Sequence, residues 1–169
     1  MSFRLTAFLA LVAGILLGAG AVSADSGLPV PRFVTLGSGE VNVRTGPGSR
    51  YPVEWVFVRR DLPVEVIAEF DTWRRIRDVE GAEGWVHQSM LSGRRSLVVT
   101  GAEPRNLHAD PDGNSPVVAR VEPGVIGRLL RCPEAGRADS AWCYCDISGY
   151  RGWLRRTEIW GIYPDEAFG

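Results

Sequence analysis

With 169 residues the chain has room for one or two domains. Hydrophobic residues at 45% and charged residues at 23% exclude a disordered composition. The formal net charge is −1, and the 19 basic residues are all arginines spread along the chain, so no basic cluster of the kind nucleic-acid binding needs is present.

Residues 1–24 read as a signal peptide. Arg4 supplies one positive charge, Leu5 to Val22 is apolar apart from Thr6, and Val22-Ser23-Ala24 provides small residues before Asp25. The alternative is an uncleaved anchor, because the run is long enough to cross a bilayer. Contact with a membrane is expected only in that case. Either way the mature chain is expected to be periplasmic or secreted, where disulfides are permitted.

An internal repeat organises the rest. Phe33-Val34-Thr35-Leu36 lies against Leu97-Val98-Val99-Thr100, and Asn42-Val43-Arg44-Thr45-Gly46-Pro47 against Asn106-Leu107-His108-Ala109-Asp110-Pro111. Pro52-Val53 then matches Pro116-Val117, Trp73 matches Trp142, and Gly84-Trp85-Val86 matches Gly152-Trp153-Leu154. Within the first copy, Val41-Asn42-Val43 and Glu54 to Val58 are β-rich, and Leu62, Val64, Val66 and Ala68 alternate with Pro63, Glu65 and Ile67 as in a half-buried strand. Thr45-Gly46-Pro47-Gly48-Ser49 must be a loop, since Gly and Pro set turn geometry. No sustained helical period follows the leader; Gln88 to Leu91 and Thr157 to Ile159 are each expected to form one tight turn before a last strand. Five or six short strands per copy predict an all-β protein of two small barrels, which close their own edges. The barrels are placed at residues 32–92 and 94–163, joined near Gly93 by a link short enough to restrict their mutual orientation.

All three cysteines fall in the second copy. Cys143 and Cys145 share one face of a strand with near-parallel Cβ directions, which disfavours a bond between them. Cys132 lies near the end of the preceding strand, so it is expected to pair with Cys143 or Cys145. By its spacing from the tryptophan, Cys145 aligns with Ile76, the position of a buried residue. The competing reading adds His108 to the three cysteines as a zinc site, but Cys-x-Cys is not the usual chelating spacing. No Cys-x-x-Cys supports redox catalysis.

The run Val41-Asn42-Val43-Arg44-x-Gly46-Pro47-Gly48-x-x-Tyr51-Pro52, then an alternating strand, then Trp73, then Gly84-Trp85-Val86-His87, resembles bacterial SH3-like domains. The second copy is a degenerate version, with His108 for the arginine, Asp110 and Asp112 for glycines and Ser115 for the tyrosine. The resemblance covers nearly all of the mature chain. It implies two tandem five-stranded barrels and an extracytoplasmic binding role, often towards cell-wall peptides. It also favours Cys143 over Cys145 as the partner of Cys132.

Trp73 is the leading candidate for ligand contact, because strand alternation sets it opposite Ile76. An outward Trp73 beside Arg75 would offer a flat surface and a donor array suited to extended or polyproline peptides. The competing role for Trp73 is packing beneath a loop or the second barrel. Tyr51 and Trp55 are candidates for the other wall of a groove, or for pinning the Gly-Pro-Gly loop. Arg44 could grip a ligand carboxylate bidentately, or pair with an acidic residue such as Glu40. Trp85 and Trp153 read as packing residues, and His87 and His108, in different copies, as surface or packing residues.

Nothing points to catalysis: no Gly-rich phosphate loop precedes a helix, and no carboxylate pair can be placed across a cleft. The sequence therefore reads as a binding protein without cofactor or metal. Its expected partner is a peptide, peptidoglycan or an extracytoplasmic protein. The alternative is a scaffold or assembly protein serving one protein partner.

Overall fold

A computed structural model describes residues 26–169; the expected signal peptide or anchor lies outside them. Seven strands make up the first copy: β1 (Arg32–Leu36), β2 (Val41–Arg44), β3 (Val53–Phe57), β4 (Pro63–Phe70), β5 (Trp73–Arg77), β6 (Glu83–His87) and the two-residue β7 (Leu91–Ser92). The second copy repeats them as β8 (Ser96–Val99), β9 (Arg105–His108), β10 (Val117–Val121), β11 (Ile126–Arg131), β12 (Trp142–Ile147), β13 (Tyr150–Arg155) and β14 (Ile159–Trp160). The sheet orders are β3-β2-β6-β5-β4-β1-β7 and β10-β9-β13-β12-β11-β8-β14, the same topology twice. The only helical elements among the described residues are single 3₁₀ turns at Gln88–Met90 and Arg156–Glu158, each just before the last short strand.

Each copy has its own apolar core. Leu36, Val41, Val43, Leu62, Val64, Val66, Ile76 and Val86 fill the first. Leu97, Leu107, Leu129, Cys143, Cys145, Ile147 and Leu154 are among those filling the second. The glycine before each Gly-Trp tryptophan is set by close strand approach. A side chain on Gly84 would begin 2.3 Å from Val43 Cγ1, and one on Gly152 would begin 2.6 Å from the His108 carbonyl oxygen.

The alternation of β4 is masked by burial on both faces: Pro63 and Glu65 are as covered as Val64 and Val66. The cause is the second copy. Phe33 and Thr35 on β1 lie opposite Glu65 and Pro63 on β4, and this outer face packs against β8, β14 and the segment after it. The Phe33 ring meets Trp160 edge-on at 4.8 Å and Tyr163 at 4.7 Å. Thr35 and Ser96 hydroxyls are 2.7 Å apart, and Thr35 Oγ1 donates to the Arg94 carbonyl. Tyr163 Oη donates to Glu65 Oε1 at 2.7 Å, while Arg77 donates to Glu65 Oε2. Burial and the neighbouring Glu65 carboxylate push the Tyr163 phenol well above its ordinary range. The short link thus joins barrels whose orientation is fixed by aromatic packing and a buried carboxylate.

Cys132 and Cys143 form a disulfide, and Cys145 is a buried free thiol. The zinc reading fails because two of its four ligands are bonded to each other. Burial, then the adjacent Asp146, pushes the Cys145 thiol up to about 12, so at neutral pH it is a protonated core residue.

Candidate peptide groove

The loop after β2 forms one wall of the candidate site. Its shape comes from three backbone bonds: Thr45 N–H to Pro52 O, Gly48 N–H to Gly46 O and Tyr51 N–H to Gly48 O. The second copy repeats them with Ala109 to Pro116, Asp112 to Asp110 and Ser115 to Asp112. Arg44 Nη1 pins the loop by donating to the carbonyls of Ser49 and Tyr51, at 3.1 and 2.7 Å. His108 holds the equivalent place in the second copy, its Nδ1 3.2 Å from the Ser115 carbonyl. Arg44 therefore acts here on its own loop and forms no ion pair with Glu40 among the described residues. The Tyr51 ring supports the loop from behind: a side chain on Gly46 would begin 2.5 Å from its Cδ1. Arg50 lies over that ring at 5.2 Å.

The opposite wall is the hairpin between β4 and β5, which turns in two residues, Asp71 and Thr72. Asp71 takes a left-handed φ of 50°, and its carbonyl accepts from Arg74 Nη1 at 2.7 Å. Arg74 is only 4% exposed. It faces inward like Ile76, anchored by Glu69 at 3.1 Å and Gln88 at 2.7 Å. Burial works against the Glu69 charge, but donation from the Ser26 amide and hydroxyl and from Arg32 outweighs it and holds the carboxyl at about 2. The turn thus stands on a buried charged network. On its outer side it places Phe70 opposite Trp73, and Trp73 opposite His87 on β6. Trp73 and His87 meet edge-on with centroids 5.4 Å apart.

Between the two walls runs an open groove of about 620 Å³, lined by Pro47 to Arg50, Phe70 to Trp73, and His87. Phe70 is 47% exposed. Of the residues singled out in the sequence, Trp73 lies in this groove and Tyr51 supports its wall. Arg75 does not line it, because its guanidinium turns along the strand to Glu83 at 2.9 Å. Trp55 does not line it either; it packs against the first core, 6.2 Å from Phe57. The donors beside Trp73 are Arg50 and His87. Those two, with Phe70 and Pro47, were missed by the sequence reading. The available signal was the pair of aromatics flanking a two-residue turn.

The corresponding place in the second copy is closed. Trp142, equivalent to Trp73, is only 5% exposed. Arg155, at the position of His87, lies over the Trp142 ring at 4.5 Å and extends to the loop, where its Nη2 is 3.1 Å from the point at which a side chain on Gly113 would begin. His108 covers another edge of Trp142 at 5.5 Å. In place of the two-residue turn, the second copy carries residues 132–141, tied at their base by the disulfide.

A family model described as a bacterial SH3 domain matches residues 37–93 and again 101–161. No curated protein matches the chain. Among solved structures, NlpC2 from Trichomonas vaginalis is similar with 12% identity and a TM-score of 0.33, over 77% of this chain and 48% of that one. NlpC1 from the same organism is similar with 15% identity and a TM-score of 0.32, over 88% of this chain and 50% of that one. The chain spans about half the length of either.

Proposed function

Since the chain belongs to the bacterial SH3 domain family, we propose that it is an extracytoplasmic, non-catalytic binding protein whose first barrel holds an extended peptide, such as the peptide part of peptidoglycan. The observation that carries this reading is the contrast between the copies: one fold presents an open groove at Trp73, and the other fills the same place with its own Arg155. Phe70 and Trp73 give apolar contact to a peptide lying across the hairpin. Arg50 and His87 supply donors for its carbonyls or carboxylate, and Asp71 an acceptor for an amine. The second barrel braces the first through the Phe33 and Glu65 contacts. The family and the disulfide support an oxidising location.

The test is retention on isolated cell wall and on periplasmic extract, comparing the native chain with Trp73→Ala. Retention on cell wall that falls in the variant supports the reading. Capture of one protein partner, with no retention on cell wall, would favour the scaffold role instead. Retention unaffected by Trp73→Ala would place the binding surface elsewhere.

A further inference from the structure

A second recess, of about 440 Å³, lies between the two barrels and shares no residue with the groove. Its charged lining is Arg60 and Asp61 from the first copy and Arg94, Arg95, Arg128 and Asp146 from the link and the second copy. Most of these charges already have partners. Arg94 Nη2 pairs with Asp61 Oδ1 at 3.2 Å. Arg95 is paired with Glu166 and donates to the Gly161 carbonyl, outside the recess. Asp146 accepts from Arg151 Nε at 3.1 Å and from the Gly149 amide at 3.0 Å. Two cations are left over. Arg128 reaches Asp146 only at 3.6 Å, on an oxygen that Arg151 already holds. Arg60 makes no hydrogen bond or ion pair among the described residues.

We propose that this recess binds a small oxyanion, a carboxylate or phosphate group, between Arg60 and Arg128. A guanidinium presents its donors as a planar fork that matches either group bidentately. Ligand sites favour interfaces between domains, and the volume falls in the usual range for a small molecule. The walls are already fixed: the Thr35–Ser96 hydroxyl pair lies in the lining, and Phe33 and Tyr163 lock the barrels nearby. The ordering required when the anion enters is therefore confined to the exposed Arg60 and Arg128 side chains. Because Arg60 belongs to the first copy and Arg128 to the second, the site exists only while the barrels stay docked.

The experiment is a titration of the whole mature chain with inorganic phosphate and, separately, with succinate. Ionic strength is held constant with chloride, and arginine side-chain and backbone NMR signals are followed. The expected result is a saturable change centred on Arg60 and Arg128 for one or both anions; the preferred anion identifies the source of the oxyanion. The double variant Arg60→Gln, Arg128→Gln should lower affinity by about tenfold or more, with thermal unfolding in the absence of ligand unchanged. Trp73→Ala should leave this titration unaltered, which separates the site from the groove. No saturable change with either anion, or equal binding by the double variant, would overturn the proposal.

Discussion

Replacing Phe33 with Ala tests how firmly the two barrels are joined. Phe33 is buried, yet it is not part of the first core; strand parity points it with Thr35 towards the second copy. Truncation should therefore leave both cores packed and remove only the contact between them. The ring touches Trp160 at 4.8 Å and Tyr163 at 4.7 Å, and Arg95 lies 5.9 Å from its centroid. A buried Phe truncated to Ala costs about 3–5 kcal/mol, of which each aromatic pair contributes about 0.5–1.5 beyond area burial. For a chain of this size the melting temperature should fall by roughly 6–20 °C. The assay is equilibrium unfolding followed by tryptophan fluorescence and far-UV circular dichroism. Native protein should unfold in one transition by both probes, and Phe33→Ala in two non-coincident ones as the barrels uncouple. A single coincident transition within about 0.5 kcal/mol of native, the usual range for surface substitutions, would refute the claim that this contact locks the barrels.

Other outcomes follow from the same geometry. Gly84→Ala should destabilise by about 1–3 kcal/mol in chemical denaturation, because its Cβ would sit 2.3 Å from Val43 Cγ1. Reducing the Cys132–Cys143 disulfide, with 11 residues of sequence separation, should cost on the order of 3 kcal/mol by the chain-entropy model, read as a lower denaturation midpoint. Cys145 should resist alkylation in native protein at neutral pH and react fully after unfolding, as mass analysis would show. Glu69 is held below its ordinary value, so its contribution to stability is present above about 4.5, the unfolded value, and is lost as pH falls towards about 2. Glu69→Gln should flatten that part of the acid-unfolding profile.

What the sequence made legible was local or periodic. The repeat fixed the paired strands, and the spacing from tryptophan put Ile76 and Cys145 at equivalent buried positions. The repeat offset grows from 64 residues between Asn42 and Asn106 to 69 between Trp73 and Trp142, which corresponds to the longer, disulfide-tied segment before Trp142. What stayed hidden depends on partners distant in sequence. Glu65 reads as the exposed position of an alternating strand, but it accepts a hydrogen bond from Tyr163, 98 residues away. Arg44 looks free to meet a ligand until the loop folds back and places the Ser49 and Tyr51 carbonyls against it. Arg75 and Trp73 are neighbours by parity, yet Glu83 across the strand decides where the guanidinium goes. The closure of the second groove was equally unreadable, since Arg155 and Trp142 meet only when β12 and β13 pair.

The central claim is that the groove at Trp73 binds because it is open and that the second copy does not because Arg155 fills it. His87→Arg carries that plug into the first copy, at a position where the second barrel already accommodates arginine. The measurement is retention of this variant on isolated cell wall, beside native protein, with thermal unfolding as the control for folding. The expected result is an unchanged melting temperature and binding weakened by about 2 kcal/mol or more, as for loss of a hot-spot aromatic surface. Native-like retention by a folded His87→Arg protein would contradict it.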